Sequence, residues 1–481
     1  MEQNDMAQIA LPSIDYSVIL QLVIIFGSAT ALLIVDLFVP AGRKRITALL
    51  AFAVTVVALV AGQYSTAGTT LAGAVSYGPM SQLVNIIILA ATAISILLAS
   101  DALPKQGIER GETYILMLLA SGGMLLLSQG SSVVMLFLGL ELLSIALYVL
   151  TAIAFPRLSS EEAGLKYLII GAFGAGFLVF GIALTFGATG YLTLSEIATH
   201  IPTSGIERGY FWVGVTLMLI GFGYKVSLVP FHMWTPDVYQ GAPTPITAFM
   251  SVGSKVAGFV AIVSILQILG TELLVLRPIL IGVSIATMAV GSIVAISQTS
   301  IKRMLAYSSI SHAGFVMLGV LSGDANGLQA AIFYLAAYTI TNLAAFAVVM
   351  LLEANDGSDM SIADLTGLWQ RHPWLSVVMS LALLSLAGVP PTAGFFAKFL
   401  IITAVWQSGL AWLAVAAAVA SAIGAFFYVR CMLQMYSGDS ETSEPTRIPL
   451  TSMIAMIVVT VAIIVVGLAP WTITSALALA Q

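Results

Sequence analysis

Residues 209–230, GYFWVGVTLMLIGFGYKVSLVP, decide how this chain must be read. The run is long and apolar enough to cross a bilayer core, which takes about 20 residues of helix. Yet it carries a lysine, Lys225, and it ends on Val229-Pro230, a step at which proline removes a backbone donor and breaks a helix. Similar runs recur along the 481 residues, of which 59% are hydrophobic and only 8% charged. An ordinary soluble domain is roughly 25% charged, so the chain reads as an all-α polytopic membrane protein. Of its seven lysines, Lys166, Lys225, Lys255 and Lys398 fall inside apolar stretches, whereas Lys44, Lys105 and Lys302 fall between them.

Apolar runs bounded by turn residues give about 14 transmembrane spans: 16–39, 46–62, 81–100, 112–129, 131–155, 162–188, 209–229, 244–269, 276–297, 303–321, 326–353, 374–407, 409–436 and 450–470. The longest connections, 63–80, 189–208 and 354–373, are too short for a separate domain. Cytoplasmic loops collect Lys and Arg. With the N-terminus outside, the inner loops hold Arg43, Lys44, Arg45, Lys105, Arg110, Arg157, Lys302, Arg303, Arg371 and Arg447, and the outer loops only Arg208 and Arg277. This asymmetry predicts a multi-pass protein of a bacterial cytoplasmic membrane with both termini on the periplasmic side. Arg430, near the inner end of its span, can snorkel to the cytoplasmic face.

Several function classes are excluded early. A single cysteine, Cys431, cannot build an iron–sulfur cluster, a disulfide framework or a zinc site. The histidines His200, His232, His312 and His372 are scattered singly, which suits no metal. No dinucleotide fingerprint or phosphate-cradling loop occurs. A net charge of −5 leaves no basic footprint for nucleic acid. The acidic first fifteen residues, MEQNDMAQIALPSID, do not look like a cleavable signal, so insertion is expected to rely on the first helix. The chain is expected to hold neither cofactor nor metal and to work within the bilayer.

A second Val-Pro step stands in SLAGVPPTAGFFAKF, at Pro390 and Pro391. Moreover, LKYLIIGAF (165–173) resembles IFYLAAYTI (332–340). The offsets, 167 residues for the Tyr-Leu pairs and 160 for the Val-Pro pairs, are nearly equal. They predict a duplicated five-helix unit, helices 4–8 and 9–13. Because five is odd, the two copies insert with opposite topology, as in secondary transporters. The predicted organisation is helices 1–3 in 1–111, a first repeat in 112–269, a second, inverted repeat in 270–437, and a terminal helix in 438–481. Helices 7 and 12 break at Pro230 and Pro390. Broken backbone at membrane depth survives inside protein or beside a wet cavity, so each break is expected to mark a half-channel; a plain packing kink is the alternative.

A charge at the bilayer centre costs about 2.5–3.5 kcal/mol on insertion scales, and such residues face a cavity or one another. The candidates are Glu141, Lys166, Lys225, His232, Lys255, His312 and Lys398. Glu141 is the acid set deepest in an apolar span, and an ion pair with Lys225 would lower the burial cost of both. Making and breaking that pair would switch the proton affinity of Lys225. Lys255 is mid-span among Gly253, Ser254 and Gly258, and Lys398 follows the second break. Lys166, four residues after Glu162, reads equally as half of a surface pair. His232 and His312 can relay protons or be hydrogen-bonded core residues. Sodium would want clustered oxygen ligands, so buried lysines, two histidines and one deep acid suit proton transfer better.

Three stretches carry a family resemblance: GYKVSLVPFHMWTPDVYQGAPTPITAFMSVGSKVAGF (223–259), QTSIKRMLAYSSISHAGFVMLG (298–319) and IADLTGLWQRHPWLSVVMSLALLSLAGVPPTAGFFAKF (362–399). They resemble the antiporter-like membrane subunits of respiratory complex I, the NADH:quinone oxidoreductase, and the likeness covers essentially the whole chain. It implies a regulatory pair at Glu141 and Lys225, a central lysine at Lys255, an exit residue at Lys398, and connecting roles for Lys166, His232 and His312. At the position of Lys398 the sister subunit M typically has glutamate. The resemblance also implies that NADH, FMN, iron–sulfur clusters and quinone are handled by other subunits, and that subunit M and small membrane subunits are neighbours. Alternative readings are a subunit of a cation/proton antiporter or membrane-bound hydrogenase, and a non-conducting spacer of the membrane arm.

Overall fold

A computed structural model describes residues 14–354, 356–438 and 448–479. Arg447, counted above with the inner-loop charges, and the acidic residues up to 13 lie outside the described residues. The chain is predominantly helical. Helices occupy the apolar runs: Leu20–Asp36, Arg45–Ala61, Pro79–Lys105, Gly111–Gln129, Val133–Thr151, Leu158–Thr189, Gly205–Lys225, Thr244–Leu269, Leu273–Ile296, Ile301–Leu321, Ala325–Leu352, Pro373–Ala387, Ala393–Gln407, Ala411–Tyr436 and Leu450–Leu468. Among the described residues, nine helical segments are long and apolar enough to cross a membrane. One of them, Thr244–Ile296, holds two helices joined by a tight turn at Gly270–Glu272.

Side-chain caps fix several helix starts by satisfying amides that have no partner in the first turn. Ser132 accepts from Met135 N (3.2 Å), Ser300 from Arg303 N (3.2 Å) and Asp324 from Gly327 N (2.9 Å). The connection 63–80, which the sequence marks only as too short for a separate domain, carries a small hairpin: Gly68–Thr70 pairs antiparallel with Val75–Tyr77. Each strand has three residues, too few for an alternating pattern to stand out. The hairpin is tied to the helices by Ser131 N, which donates to Ala74 O (2.9 Å).

Burial separates inner from outer helices. Of the apolar stretches of Ile301–Leu321 and Ala325–Leu352, 89% is buried, against 28% of that of Leu158–Thr189. The first two therefore form the middle of the bundle, while the third turns most of its surface outward. Leu158–Thr189 meets Gly205–Lys225 through glycines, as small residues let membrane helices approach closely. A Cβ at Gly221 would stand 2.9 Å from Gly174 O. That approach sets Tyr167 and Lys225 side by side.

Both Val-Pro segments break their helices, and the breaks begin earlier than the prolines. Gly205–Lys225 ends at Lys225, and helix resumes at Trp234–Gly241. Pro373–Ala387 ends three residues before Pro390 and resumes at Ala393–Gln407. Ser227 (φ 65) and Gly388 (φ 87) turn the chain through the left-handed region, which stops a helix before the missing proline donor is reached. Lys225 is consequently a residue at a broken helix end, not a mid-helix lysine.

Candidate functional site

The ammonium of Lys225, 2% exposed, donates to Ser144 Oγ (2.9 Å) and Tyr167 OH (2.9 Å). Ser144 spends its own proton on Leu140 O (2.6 Å), which leaves its lone pairs for the lysine. Tyr167 is fixed by stacking on Trp234 (4.6 Å between centroids) and an edge contact with Tyr148 (4.8 Å). Trp234 Nε1 in turn donates to Tyr224 O (3.0 Å), one residue before Lys225. Residues downstream of the break thus hold the partner of the lysine upstream of it.

The expected ion pair of Glu141 with Lys225 is not formed: no ion pair involves Glu141 among the described residues. Glu141 lies half-buried on Val133–Thr151, one turn before Ser144. It attracts Lys225 across a gap. Residues three apart share a flank of a helix, and here the shorter serine meets the ammonium.

Lys255 and Lys398 share a different geometry. Lys255, 2% exposed, donates to Val226 O (3.1 Å) and Ser309 O (3.0 Å). In a continuous helix Val226 O would accept from the residue four further on, but that residue is Pro230, which has no N–H. Lys398, 7% exposed, donates to Ala387 O (2.9 Å) and Ser421 Oγ (3.0 Å). Four residues after Ala387 stands Pro391. Each break therefore leaves a carbonyl without its helical donor, and each time a buried ammonium donates to it; at the second break Ser421 Oγ also reaches Ala387 O (3.4 Å). The positive charge also faces the negative end of the interrupted helix, where a cation is favoured.

His312 sits between two tyrosines, with Nδ1 2.6 Å from Tyr334 OH and Nε2 3.1 Å from Tyr428 OH. Tyr428 OH also meets Ser308 Oγ. Beside the histidine, a cavity of about 10 Å³ is bounded by Tyr334, Tyr338, Thr341, Ser385 and Gly394, so it reaches the second break. That is room for one water. Among the described residues Ser309 Oγ and Tyr338 OH are buried and make no well-formed hydrogen bond, although the Ser309 hydroxyl lies near enough to interact weakly with both Tyr338 and Tyr239. Ser309 is the residue whose carbonyl holds Lys255, and the Tyr338 ring lies 5.2 Å from His312. Buried polar atoms normally have partners, and these two lie on the way from Lys255 to His312 with capacity to bind water.

The remaining candidates lie off this row. His232 is half-buried just past the first break, close to the backbone of Pro230, and its Nδ1 makes no well-formed hydrogen bond among the described residues. Lys166, 42% exposed at its side chain, pairs with Glu162 (2.7 Å) and Asp237 (2.9 Å), and Asp237 pairs with Arg303 (2.6 Å). It belongs to a surface network. Sequence reasoning missed Tyr167 and Tyr334, although both stand in the repeated segments, each the tenth residue of its helix. It also placed Lys302 in a loop, whereas Lys302 is buried and pairs with buried Glu353 at 3.4 Å. Nothing in the pattern of charges marked that pair, because both residues adjoin helix ends.

A family profile described as NADH:quinone oxidoreductase/Mrp antiporter matches residues 130–424. NADH-quinone oxidoreductase subunit N 2 of Roseiflexus castenholzii is 46% identical over 97% of this chain and 96% of its own length. Subunit N of Chloroflexus aggregans is 47% identical, covering 92% of each. Among solved structures, a chain of respiratory complex I from Thermus thermophilus with bound aureothin superposes with a TM-score of 0.82, at 31% identity, over 96% of this chain and 100% of that one.

Proposed function

This chain belongs to the antiporter-like membrane subunits of NADH-quinone oxidoreductase, within the subunit N group, and from that premise we propose that its buried lysines form a proton path across the membrane arm. It is a subunit of a translocase whose redox chemistry, with NADH, FMN, iron–sulfur clusters and quinone, is carried by other subunits. Its neighbours are an antiporter-like subunit of the M type and small membrane subunits. We read the helices as fourteen spans with two inverted five-helix repeats, 112–269 and 270–437, flanked by 1–111 and 438–481, and with both termini periplasmic.

One observation carries the proposal: at both helix breaks a buried lysine donates to the carbonyl that proline leaves free, and among the described residues the buried hydroxyls of Ser309 and Tyr338, on the way from Lys255 to His312, make no well-formed hydrogen bond. Lys225 loads beside the first break, with Glu141 tuning it through space. Lys255 is the centre. His312 relays toward Lys398, which faces the outer half-channel. His232 and Lys166 serve the inner approach. Moving one charge against 100 mV costs about 2.3 kcal/mol, close to a change of roughly 1.7 pKa units, which a shift of a carboxylate near a buried lysine can provide. The test is Lys255→Met in the intact complex, with assembly verified and NADH-driven pumping measured in sealed vesicles. The path predicts a fall of roughly 100-fold, the low end of what a proton-transfer group contributes. Unchanged pumping would leave the chain a spacer.

A further inference from the structure

Below Lys255 a second polar system has no part in the path described so far. Glu353, which ends the helix Ala325–Leu352, buries its carboxylate one residue before exposed Ala354. The carboxylate accepts from Lys302 Nζ (3.4 Å), Thr244 Oγ1 (2.7 Å) and Gln106 Nε2 (3.1 Å). Lys302 also donates to Ala242 O (3.1 Å) and Thr244 Oγ1 (3.3 Å). Lys105 donates to Glu353 O (3.0 Å), and Arg157 reaches Gln106 Oε1 (3.4 Å), so Lys302, Lys105 and Arg157 are the charges around the acid.

From this cluster a polar stripe leads to Lys255. On the helix Thr244–Leu269, the buried residues Thr244, Thr247, Ser251 and Lys255 fall within about 80° of one another at 100° per residue. On the facing helix, Tyr338, Asn342 and Glu353 fall within about 60°. The two stripes meet where Asn342 Nδ2 donates to Ser251 Oγ (2.7 Å), one turn from Lys255. Asn342 Oδ1 is buried and unpartnered among the described residues. Such an oxygen, fully buried on a side chain that joins two polar helix faces, is suited to hold a water. The distance to cover is about 16 Å, eleven residues at 1.5 Å each.

We infer that the Lys302–Glu353 pair is a second proton-loading site, separate from Lys225, that supplies Lys255 from the inner side, through water held at Asn342 and Ser251. The inference rests on the proton-path reading above. A proton taken from the inner aqueous phase neutralises the Glu353 carboxylate. It then passes along water and hydroxyls to the neutral amine of Lys255, and Glu353 is again a carboxylate beside Lys302. No charge is lost and no other reactant is needed. Thr244 and Gln106 hold the Glu353 carboxylate in place.

The test uses intact complex in sealed membrane vesicles, comparing Glu353→Gln, Glu353→Asp, Asn342→Val and Lys255→Met at equal content of assembled complex. Glu353→Gln and Asn342→Val are expected to lower NADH-driven pumping about five-fold or more, a modest share of what a proton-transfer group contributes. Glu353→Asp is expected to restore most of it, and Asn342→Val to show a larger solvent deuterium isotope effect than the unaltered complex. Normal pumping by Glu353→Gln and Asn342→Val while Lys255→Met is impaired overturns the inference and makes the pair a tie between helix ends. If Glu353→Gln does not assemble, Asn342→Val decides alone, because it leaves the ion pair intact. Normal pumping by Lys255→Met instead would overturn the path itself, and this intake with it.

Discussion

The two helix breaks are built alike in backbone and unlike in charge. At each, a carbonyl four residues before a proline is taken by a lysine: Val226 O by Lys255, Ala387 O by Lys398. At each, a tyrosine from the tenth position of a long helix reaches a titratable group: Tyr167 meets Lys225, and Tyr334 meets His312. The difference lies 160 residues after Lys225, where the second break has Ser385, whose hydroxyl instead accepts from Gly394 N (3.0 Å). The first break therefore holds two ammonium groups with Glu141 nearby, and the second holds one ammonium and a histidine. Like charges near one another respond strongly to a moved carboxylate, whereas a single cation with a neutral relay responds less. On the proposed path, this contrast would suit the first break to switching and the second to delivery.

The largest expected effect separates two kinds of lysine. Lys398→Met should abolish most pumping but destabilise the subunit by only about 0.5–1.5 kcal/mol, because Ala387 O keeps a second donor in Ser421 Oγ (3.4 Å). Lys225→Met should cost both pumping and about 1–3 kcal/mol, since buried Tyr167 OH loses its partner while Ser144 keeps its bond to Leu140 O. Comparing pumping with the heat stability of purified complex checks both, and equal stability loss in the two variants would erase the distinction.

Next comes the tyrosine pair. Tyr167→Phe keeps the ring but removes an acceptor from an ammonium, an interaction of about 1.5–3 kcal/mol, so pumping should fall about ten-fold or more. Tyr334→Phe removes a bond to histidine of about 0.5–1.5 kcal/mol, and a few-fold loss is expected. The reverse order in coupled turnover would mean that the two breaks have exchanged roles.

The smallest effects concern the turns. Gly388→Ala forces an L side chain into the left-handed region at roughly 1–2 kcal/mol. Its Cβ would also come 2.8 Å from Lys398 Cδ. Thermal dissociation should occur earlier. Ser227→Gly should be close to neutral: relief of a similar strain offsets the lost hydrogen bond from Thr235 Oγ1 (2.7 Å) to Ser227 Oγ. A clear destabilisation there would show that the serine, not the turn, secures the first break.

Much of this was legible in the sequence, for identifiable reasons. Apolar runs marked the helices, and proline marked both breaks, because each signal is local. The lysines stood out because an ammonium in an apolar run is rare. What the ammonium groups touch could not be read, since Ser144, Tyr167 and Ser421 come from other helices. Glu141 was the only deep acid visible along the chain and so drew the partnership with Lys225 that Ser144 and Tyr167 hold. Glu353 does not stand out in the sequence because depth along one helix is not burial: in the bundle a residue at a helix end is covered by its neighbours. Lys166 remained ambiguous in the sequence, and its exposed pairs with Glu162 and Asp237 explain why.

The central claim is that the lysines at the two breaks are joined by a hydrated path through Ser309, Tyr338 and His312. A structure of the intact complex that resolves water tests it most directly. The account predicts ordered water within hydrogen-bond distance of Ser309 Oγ and Tyr338 OH, continuous from Lys255 Nζ to the cavity beside His312 and on toward Lys398. Dry contact between those side chains, with no water along that line in any state of the working enzyme, would contradict it.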